Sequence, residues 1–252
     1  MRDFGIGVGC LLEGLQLIRR PRLRRFVLLP LACNLAIFGG LAYWGATEFH
    51  HLMDWLLGYL PGWLSWLQYL LWPLFALSLL LVFFYGFSLV ANLIAAPFNG
   101  LLAEAVERHL TGQPPPPSSW KRLLAELLPT MLAELRKLLY FVGWSLPFLL
   151  LFLVPGLNLA APVLWGLFSA WMLALEYMDY PMANHGLLFP AQRQRLRARR
   201  LLALGLGSAI LLLTLVPVIN FVAMPAGVAG ATVLWVRRFR DTAAGQKSAP
   251  TG

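Results

Sequence analysis

The stretch Val154-Pro155-Gly156-Leu157-Asn158-Leu159 lies in the middle of a long apolar run and decides how that run folds. The run, residues 138–175, has 38 residues and contains no Asp, Glu, Lys or Arg. Because proline and glycine interrupt helices, the stretch predicts a break between the halves 138–153 and 159–175. Each half would form a helix of roughly 24 to 26 Å, which is shorter than the ~30 Å hydrocarbon core of a bilayer.

The run has two interpretations, a single bent helix or a hairpin that enters the membrane and returns by the same face. Polar residues flank both ends, with Arg136 and Lys137 before the run and Glu176 and Asp179 after it. One straight helix over the whole run would exceed a single crossing about twofold, so the hairpin is favoured. Irregular backbone inside a membrane is tolerated where it is buried in protein or lines a cavity, so the break is a candidate site.

The pattern Val-Pro-x-Leu/Ile-Asn-Leu/Phe occurs a second time, 62 positions later, at residues 216–221. Here too the pattern lies near the centre of an uncharged run, residues 201–236. Arg199-Arg200 precede this run and Arg237-Arg238 follow it. Basic pairs mark cytoplasmic ends, so the repeat predicts a second re-entrant hairpin over 201–236.

The composition predicts an integral membrane protein, since 59% of residues are hydrophobic and only 12% are charged. The net charge of +9 does not indicate nucleic-acid binding, because all 20 Lys and Arg fall in four segments: 2–25, 108–137, 193–200 and 237–247. By the positive-inside rule these segments are cytoplasmic, and so are both termini. Residues 26–46 and 70–96 are predicted to be full transmembrane helices, joined by an aromatic outer segment that turns at Pro61-Gly62.

The predicted fold class is therefore an all-α integral membrane protein, with two full transmembrane helices, two re-entrant hairpins and amphipathic interfacial helices. Residues 4–18 contain four glycines and suit an interfacial helix packed closely on its neighbours. Residues 120–135 carry the apolar stripe of an amphipathic helix that leads into the first hairpin. Residues 1–240 are predicted to form a single membrane domain, with a stiff polyproline connector at 114–117 and a disordered cytoplasmic tail over 241–252.

The sequence predicts no catalytic residue, metal site or cofactor. Cys10 and Cys33 have neither disulfide nor metal spacing, and the adjacent His50-His51 are expected to be interface histidines. Glu176, Asp179 and His185 resemble an acid–base or metal set, but Pro181 is expected to interrupt the helix between them. At a membrane boundary such groups more often form salt bridges and caps.

The first break also has two interpretations. Its Pro and Gly either only form the turn of the hairpin, or they form an anion site. In the second case the free backbone N–H groups of Gly156, Leu157, Asn158 and Leu159 face the ligand beside the positive end of a helix. The arginines at the start of the first span divide in the same way. They either anchor the helix to lipid phosphate, or Arg24 and Arg25 offer guanidinium groups to an anion.

Several segments together resemble the CysZ family of bacterial inner-membrane sulfate permeases. They are the Gly156–Leu159 motif, the Arg24-Arg25 pair, and the stretches Asn92-Leu93-Ile94-Ala95-Ala96-Pro97-Phe98-Asn99 and Leu175-Glu176-Tyr177-Met178-Asp179-Tyr180-Pro181. The likeness covers most of residues 4–240, and the order and spacing of the segments are more specific than any one motif.

The resemblance implies a multi-pass protein of the inner membrane that takes up sulfate for cysteine biosynthesis through a channel-like path without an ATP-hydrolysing subunit. It also implies a homo-oligomer embedded in phospholipid, with sulfate bound by Arg24, Arg25, Gly156, Leu157, Asn158 and Leu159. The alternative is a non-transporting membrane scaffold or assembly factor whose hairpins only wedge the inner leaflet. No nucleotide motif or pair of catalytic carboxylates supports an enzyme.

Overall fold

The structure is a computed structural model that describes residues 1–59, 66–113 and 120–240. Within these ranges it is all helical, as predicted, with no strand. The predicted turn at Pro61-Gly62, the connector at 114–117 and the tail at 241–252 lie outside the described residues. The helices are α1 (Arg2–Leu17), α2 (Pro21–Tyr59), α3 (Leu67–Thr111), α4 (Trp120–Leu151), α5 (Ala161–Ala183), α6 (Phe189–Ala198), α7 (Arg200–Thr214) and α8 (Pro217–Arg238), with a 3-10 turn at Leu157–Leu159.

The chain forms two compact units, and Phe26–Phe98 make up the smaller one. In this unit the late part of α2 packs on the early part of α3. Phe49 stacks on Phe75 with ring centroids 3.5 Å apart, and Trp72 meets Phe49 edge-on at 4.6 Å. The segment Pro21–His51 is apolar and long enough to cross a membrane, and the predicted span 70–96 lies inside α3.

The larger unit combines Met1–Arg25 with the chain from Asn99 onward, and its core is built from α1, α5, α7 and α8. Glycines let these helices approach closely. A Cβ on Gly14 of α1 would lie 2.5 Å from the backbone nitrogen of Gly230 in α8, and a Cβ on Gly207 of α7 would collide with the carbonyl oxygen of Ala170 in α5. The expectation that α1 packs closely on its neighbours is confirmed. Its interfacial placement stays a prediction.

The first broken run is a helical hairpin, so the alternative of a single bent helix is wrong. Helix α4 ends at Leu151, the chain turns through residues 152–160, and α5 returns alongside α4. The ring of Phe168 stacks 5.0 Å from that of Phe148, and Trp171 Nε1 donates a hydrogen bond of 3.1 Å to the hydroxyl of Tyr140. Helix α4 also includes the whole of the predicted amphipathic segment 120–135, so that segment and the first arm of the hairpin are one continuous helix.

The second broken run is also a pair of helices, α7 and α8, but its break is shorter than predicted. Only Leu215 and Val216 separate the two helices, and Pro217–Phe221 already belong to α8. Pro217 occupies the first turn of α8, where its missing N–H has no intrahelical partner to lose and its fixed φ suits the helix. Pro217, which was expected to interrupt the helix, therefore begins one.

The expected interruption of α5 at Pro181 is likewise wrong. Helix α5 includes Pro181 and continues to Ala183. Because the proline lies close to the end of the helix, it disturbs only the last turn. Gly186, with φ of +72°, then redirects the chain towards α6.

Candidate functional site: the hairpin tip and a cluster of arginines

The tip between α4 and α5 is shaped by Pro155 and Gly156. Proline cannot continue the hydrogen-bond ladder of α4, and Gly156 adopts φ of +84° and ψ of −39°, a region that side chains with a Cβ rarely occupy. The next residues, Leu157–Leu159, form one 3-10 turn, and α5 begins at Ala161. The motif residues of the sequence therefore form a compact turn that leads directly into the N-terminus of α5.

The tip retains only part of the predicted set of free donors. The backbone N–H of Asn158 donates to the carbonyl oxygen of Val154 at 3.1 Å, so the prediction that it is free is wrong. A tight turn closes this bond across the tip. Within the described chain, the structure shows no acceptor for the N–H groups of Gly156 and Leu157. The N-cap residue of α5, Ala160, has no side-chain cap, so the positive end of α5 is not neutralised there.

The surface around the tip is apolar. The exposed fractions of Leu153, Leu157 and Leu159 are 77%, 51% and 84%. Leucines grouped in this way indicate a surface that contacts lipid or another chain. Polar amide groups at the centre of such a surface are the arrangement that a membrane protein uses to hold an ion without a buried charge.

Arginines form the second part of the candidate site, at the start of α2. Arg25 lies in a pocket of about 570 Å³, whereas Arg24 is exposed and does not line it. Within the pocket, Arg20 Nη1 lies 2.7 Å from His109 Nε2, which joins the start of α2 to the end of α3. The lining residues are Arg20, Pro21, Arg22, Leu23, Arg25, Ala105, Arg108 and His109. With four arginines and no carboxylate in this lining, the pocket favours an anion.

Arg108 and His109 are the pocket residues that sequence reasoning missed. They are more than 80 positions away from Arg25, so no local motif connects the two segments. The only signal was that Arg108 begins one of the four basic segments. The structure does not bring the arginines and the tip into one pocket, because none of Gly156–Leu159 lines the cavity that contains Arg25.

At the base of the first hairpin, Lys137 is the centre of an ion-pair cluster. Its Nζ lies 3.0 Å from Glu134, 3.0 Å from Glu176 and 3.1 Å from Asp179, so it joins α4 to α5. Burial alone would lower the pKa of Lys137, but the three carboxylates, Asp179 first, outweigh burial and raise it. The lysine therefore stays charged at neutral pH. The interpretation of Glu176 and Asp179 as salt-bridge residues is confirmed.

His185 forms a second polar contact, with the buried Glu107. His185 Nε2 lies 3.0 Å from both carboxylate oxygens of Glu107, which is 1% exposed, and Arg240 Nε lies 3.7 Å from the same group. These bonds join α3, the end of α5 and the end of α8. In the parts of the chain that the structure describes, no three His, Cys, Asp or Glu residues are grouped as a metal site.

The amino-acid sequence matches a known family and several known proteins. Residues 10–225 match the family model described as Sulfate transporter CysZ/Etoposide-induced protein 2.4. A sulfate transporter CysZ of Pectobacterium atrosepticum is 46% identical over 239 residues, which cover 94% of this chain and 87% of that protein. Proteins of the same name from Pseudomonas aeruginosa and Pseudomonas paraeruginosa are each 49% identical over 226 residues, with 89% of this chain and 92% of the P. aeruginosa protein covered.

The family match spans far more than half of the chain and includes the arginines at the start of α2 and the whole first hairpin. The chain belongs to the family described as Sulfate transporter CysZ/Etoposide-induced protein 2.4.

Proposed function

We propose that this protein is a channel-like permease that carries sulfate into the cell across the bacterial inner membrane and so supplies sulfate assimilation and cysteine biosynthesis. The observation that carries the proposal is the identity of 46–49% with relatives named sulfate transporter, over 89–94% of this chain. A transporter needs no catalytic residue, and the sequence offered none. The geometry of the hairpin tip and of the arginine pocket supports a proposal for where the anion is held.

The tip of the first hairpin is the proposed sulfate site inside the membrane. Among the described residues, the amide donors of Gly156 and Leu157 have no acceptor, and the uncapped N-terminus of α5 begins at Ala160, three residues after Leu157. Neutral donors bind an oxyanion modestly, because they supply hydrogen bonds and a partial positive charge but no full charge. Conduction requires such modest binding, since an ion that is held too tightly does not leave. Asn158 and Leu159 complete the motif, and the exposed Asn158 amide is a further donor.

The arginine pocket is the proposed site at the cytoplasmic end of the path. Arg25 lines it directly and the exposed Arg24 is the preceding residue of the chain, so both arginines would raise the local concentration of anions. Because the pocket and the tip are lined by different residues, they suit successive positions of one moving ion rather than a single binding site. The free energy of dehydrating a doubly charged ion is then divided between two places.

The proposed membrane placement has both hairpins entering from the cytoplasmic face and both termini in the cytoplasm. Its support is the pattern of basic segments, the apolar surface of the tip, and the ion-pair cluster of Lys137 at the hairpin base. The exposed leucines around the tip also fit contact with phospholipid and with further copies of the chain, so we propose a homo-oligomer.

Uptake of radiolabelled sulfate into proteoliposomes tests the proposal. Replacing Arg24→Ala together with Arg25→Ala should reduce uptake at least severalfold while the protein still inserts, because the pocket loses the charge of Arg25 and the adjacent position loses that of Arg24. The matched control is Arg136→Ala with Arg199→Ala, which removes two exposed arginines that do not line the pocket. Unchanged uptake by the first double variant would exclude this role for the pair.

A second variant separates transport from a scaffold function. Asn158→Leu keeps the size of the side chain but removes its amide, so sulfate uptake should fall whereas a scaffold would be unaffected. No sulfate flux by the unmodified protein in vesicles, under conditions where it is folded, would contradict the permease proposal altogether.

A further inference from the structure

A groove on the outside of the first hairpin combines an aromatic floor with arginines at one end. Its volume is about 380 Å³, within the range of pockets that hold small molecules. Trp144 and Phe148 of α4 and Phe168 and Trp171 of α5 form the apolar part, and Leu164 continues it towards the tip. The groove is separate from the arginine pocket and from the turn at Gly156, and the proposed sulfate path does not use it.

The charged end of the groove is formed by Arg197, at the end of α6, and Arg200, at the start of α7. Both side chains are exposed, and among the described residues neither forms an ion pair with a carboxylate. Arg200 Nε instead donates to the backbone carbonyl oxygen of Arg197 at 3.3 Å, which holds the Arg200 guanidinium beside the end of α6, and both arginines line the groove. The lining of the groove contains no acidic residue, so its charged end complements an anion.

The edge of the groove is ordered by contacts that leave its apolar floor open. The Trp171 indole N–H is satisfied by the hydroxyl of Tyr140, and the guanidinium of Arg193 lies 5.1 Å from the centre of the Tyr140 ring. The polar group of Trp171 therefore needs no partner from the groove. A ligand that fills the groove needs a long apolar part for the aromatic floor and a negative group for the arginines.

We propose that this groove binds an anionic phospholipid of the cytoplasmic leaflet, with its phosphate on Arg197 and Arg200 and an acyl chain along the aromatic side chains. The depth of the groove agrees with this occupant under the re-entrant placement proposed above. Tyr140 and Trp171 lie about one turn from the ion-pair cluster at the hairpin base, and Phe148 and Leu164 lie about two turns deeper. The arginines then lie at the level of the headgroups, where basic side chains attract anionic lipid.

Native mass spectrometry of the detergent-purified protein with added dioleoylphosphatidylglycerol tests the proposal. The unmodified protein should retain this lipid in preference to dioleoylphosphatidylcholine. The double variant Arg197→Gln with Arg200→Gln should bind this lipid roughly 30-fold more weakly, since each basic residue near an anionic lipid raises the affinity about fivefold. The control Arg136→Gln with Arg199→Gln, which removes two exposed arginines outside the groove, should bind it as the unmodified protein does.

Two further arms identify the occupant. Glycerophosphoglycerol, which has the headgroup but no acyl chain, should not compete, and competition would mean that a free phosphate ester occupies the arginines. In a variant without Cys10 and Cys33, Leu164→Cys should not form disulfide-linked dimers when the lipid is removed. Dimers would mean that a second copy of the chain covers the groove and would overturn the proposal, as would equal binding by the Arg197/Arg200 variant. Lipid retention is measured without sulfate, so its failure leaves the permease proposal untouched.

Discussion

Gly156 sets the direction in which the chain leaves α4, and its φ of +84° is the conformation that a Cβ disfavours. Gly156→Ala should cost about 1 to 3 kcal/mol of backbone strain, because a Cβ there would meet no neighbouring atom and strain is the only penalty. We expect the tip to relax into another turn and sulfate uptake to fall at least severalfold. Proteoliposome uptake, together with the melting temperature in detergent, measures both effects.

Gly112 provides the matched control at the same scale. Its φ of +73° and open surroundings impose the same kind of strain on an alanine, but it lies after the end of α3. Gly112→Ala should therefore lower stability by a similar amount and leave uptake unchanged. Equal uptake by the Gly156 and Gly112 variants would exclude a special role for the tip.

Gly166→Ala, inside α5 with no atom near the added Cβ, should raise stability by about 0.5 to 1 kcal/mol.

Individual residues also show where sequence reasoning succeeds and fails. Pro155 and Gly156 were informative because their backbone preferences act locally and need no neighbour. The bond from the Asn158 N–H to Val154 was not predictable, since it depends on how tightly the turn closes. Arg108 and His109 join the arginine pocket through tertiary folding, and nothing in their own sequence neighbourhood identifies them.

At the scale of helices, the packing of α7 on α5 depends on one small residue. The Cβ of an alanine at Gly207 would overlap the backbone carbonyl of Ala170, and backbone cannot move aside as the end of a side chain can. Gly207→Ala should destabilise the protein by about 1 to 3 kcal/mol. This corresponds to a drop of several degrees in melting temperature, which intrinsic tryptophan fluorescence in detergent would report.

Gly9 is the control for Gly207. It lies on α1, is exposed, and has no atom within contact distance of an added Cβ. Gly9→Ala should be neutral or slightly stabilising because alanine favours the helix. If the two variants melted at the same temperature, the close approach of α5 and α7 would not be a stabilising contact in the folded protein.

The helices were predictable to different degrees, for physical reasons. The first hairpin followed from a Pro-Gly break between polar ends, a local signal that the contact of Phe148 with Phe168 confirms. The start of α8 was not predictable from Val216-Pro217, because proline both ends and begins helices and only the surrounding packing decides which. The small residues in α1 predicted close packing, but the sequence did not indicate that α7 and α8 are the helices on which α1 packs.

At the scale of the whole molecule, the depth of the first hairpin decides between a re-entrant and a fully spanning pair. Helix α5 has 23 residues and is long enough to cross a membrane by itself. A full crossing, however, would place the carboxylates of Glu176 and Asp179 in the hydrocarbon region. Counted from Lys137 to the end of α4 and from Glu176 to the start of α5, each arm reaches only about 21 to 23 Å, less than the ~30 Å needed. The ion-pair cluster therefore favours a tip that stops inside the bilayer.

Labelling of single cysteines from the outside of intact cells tests this depth. In a variant without Cys10 and Cys33, Leu159→Cys at the tip should not react with a membrane-impermeant maleimide added outside, although 84% of the Leu159 side chain is exposed in the structure. Asp54→Cys, in the predicted outer segment, should react from outside, and Arg136→Cys should react only after the membrane is opened. Because a spanning hairpin would present its tip to the external solution, labelling of Leu159→Cys from outside would exclude the re-entrant arrangement. The sulfate site would then be at the outer mouth of the path instead of within it.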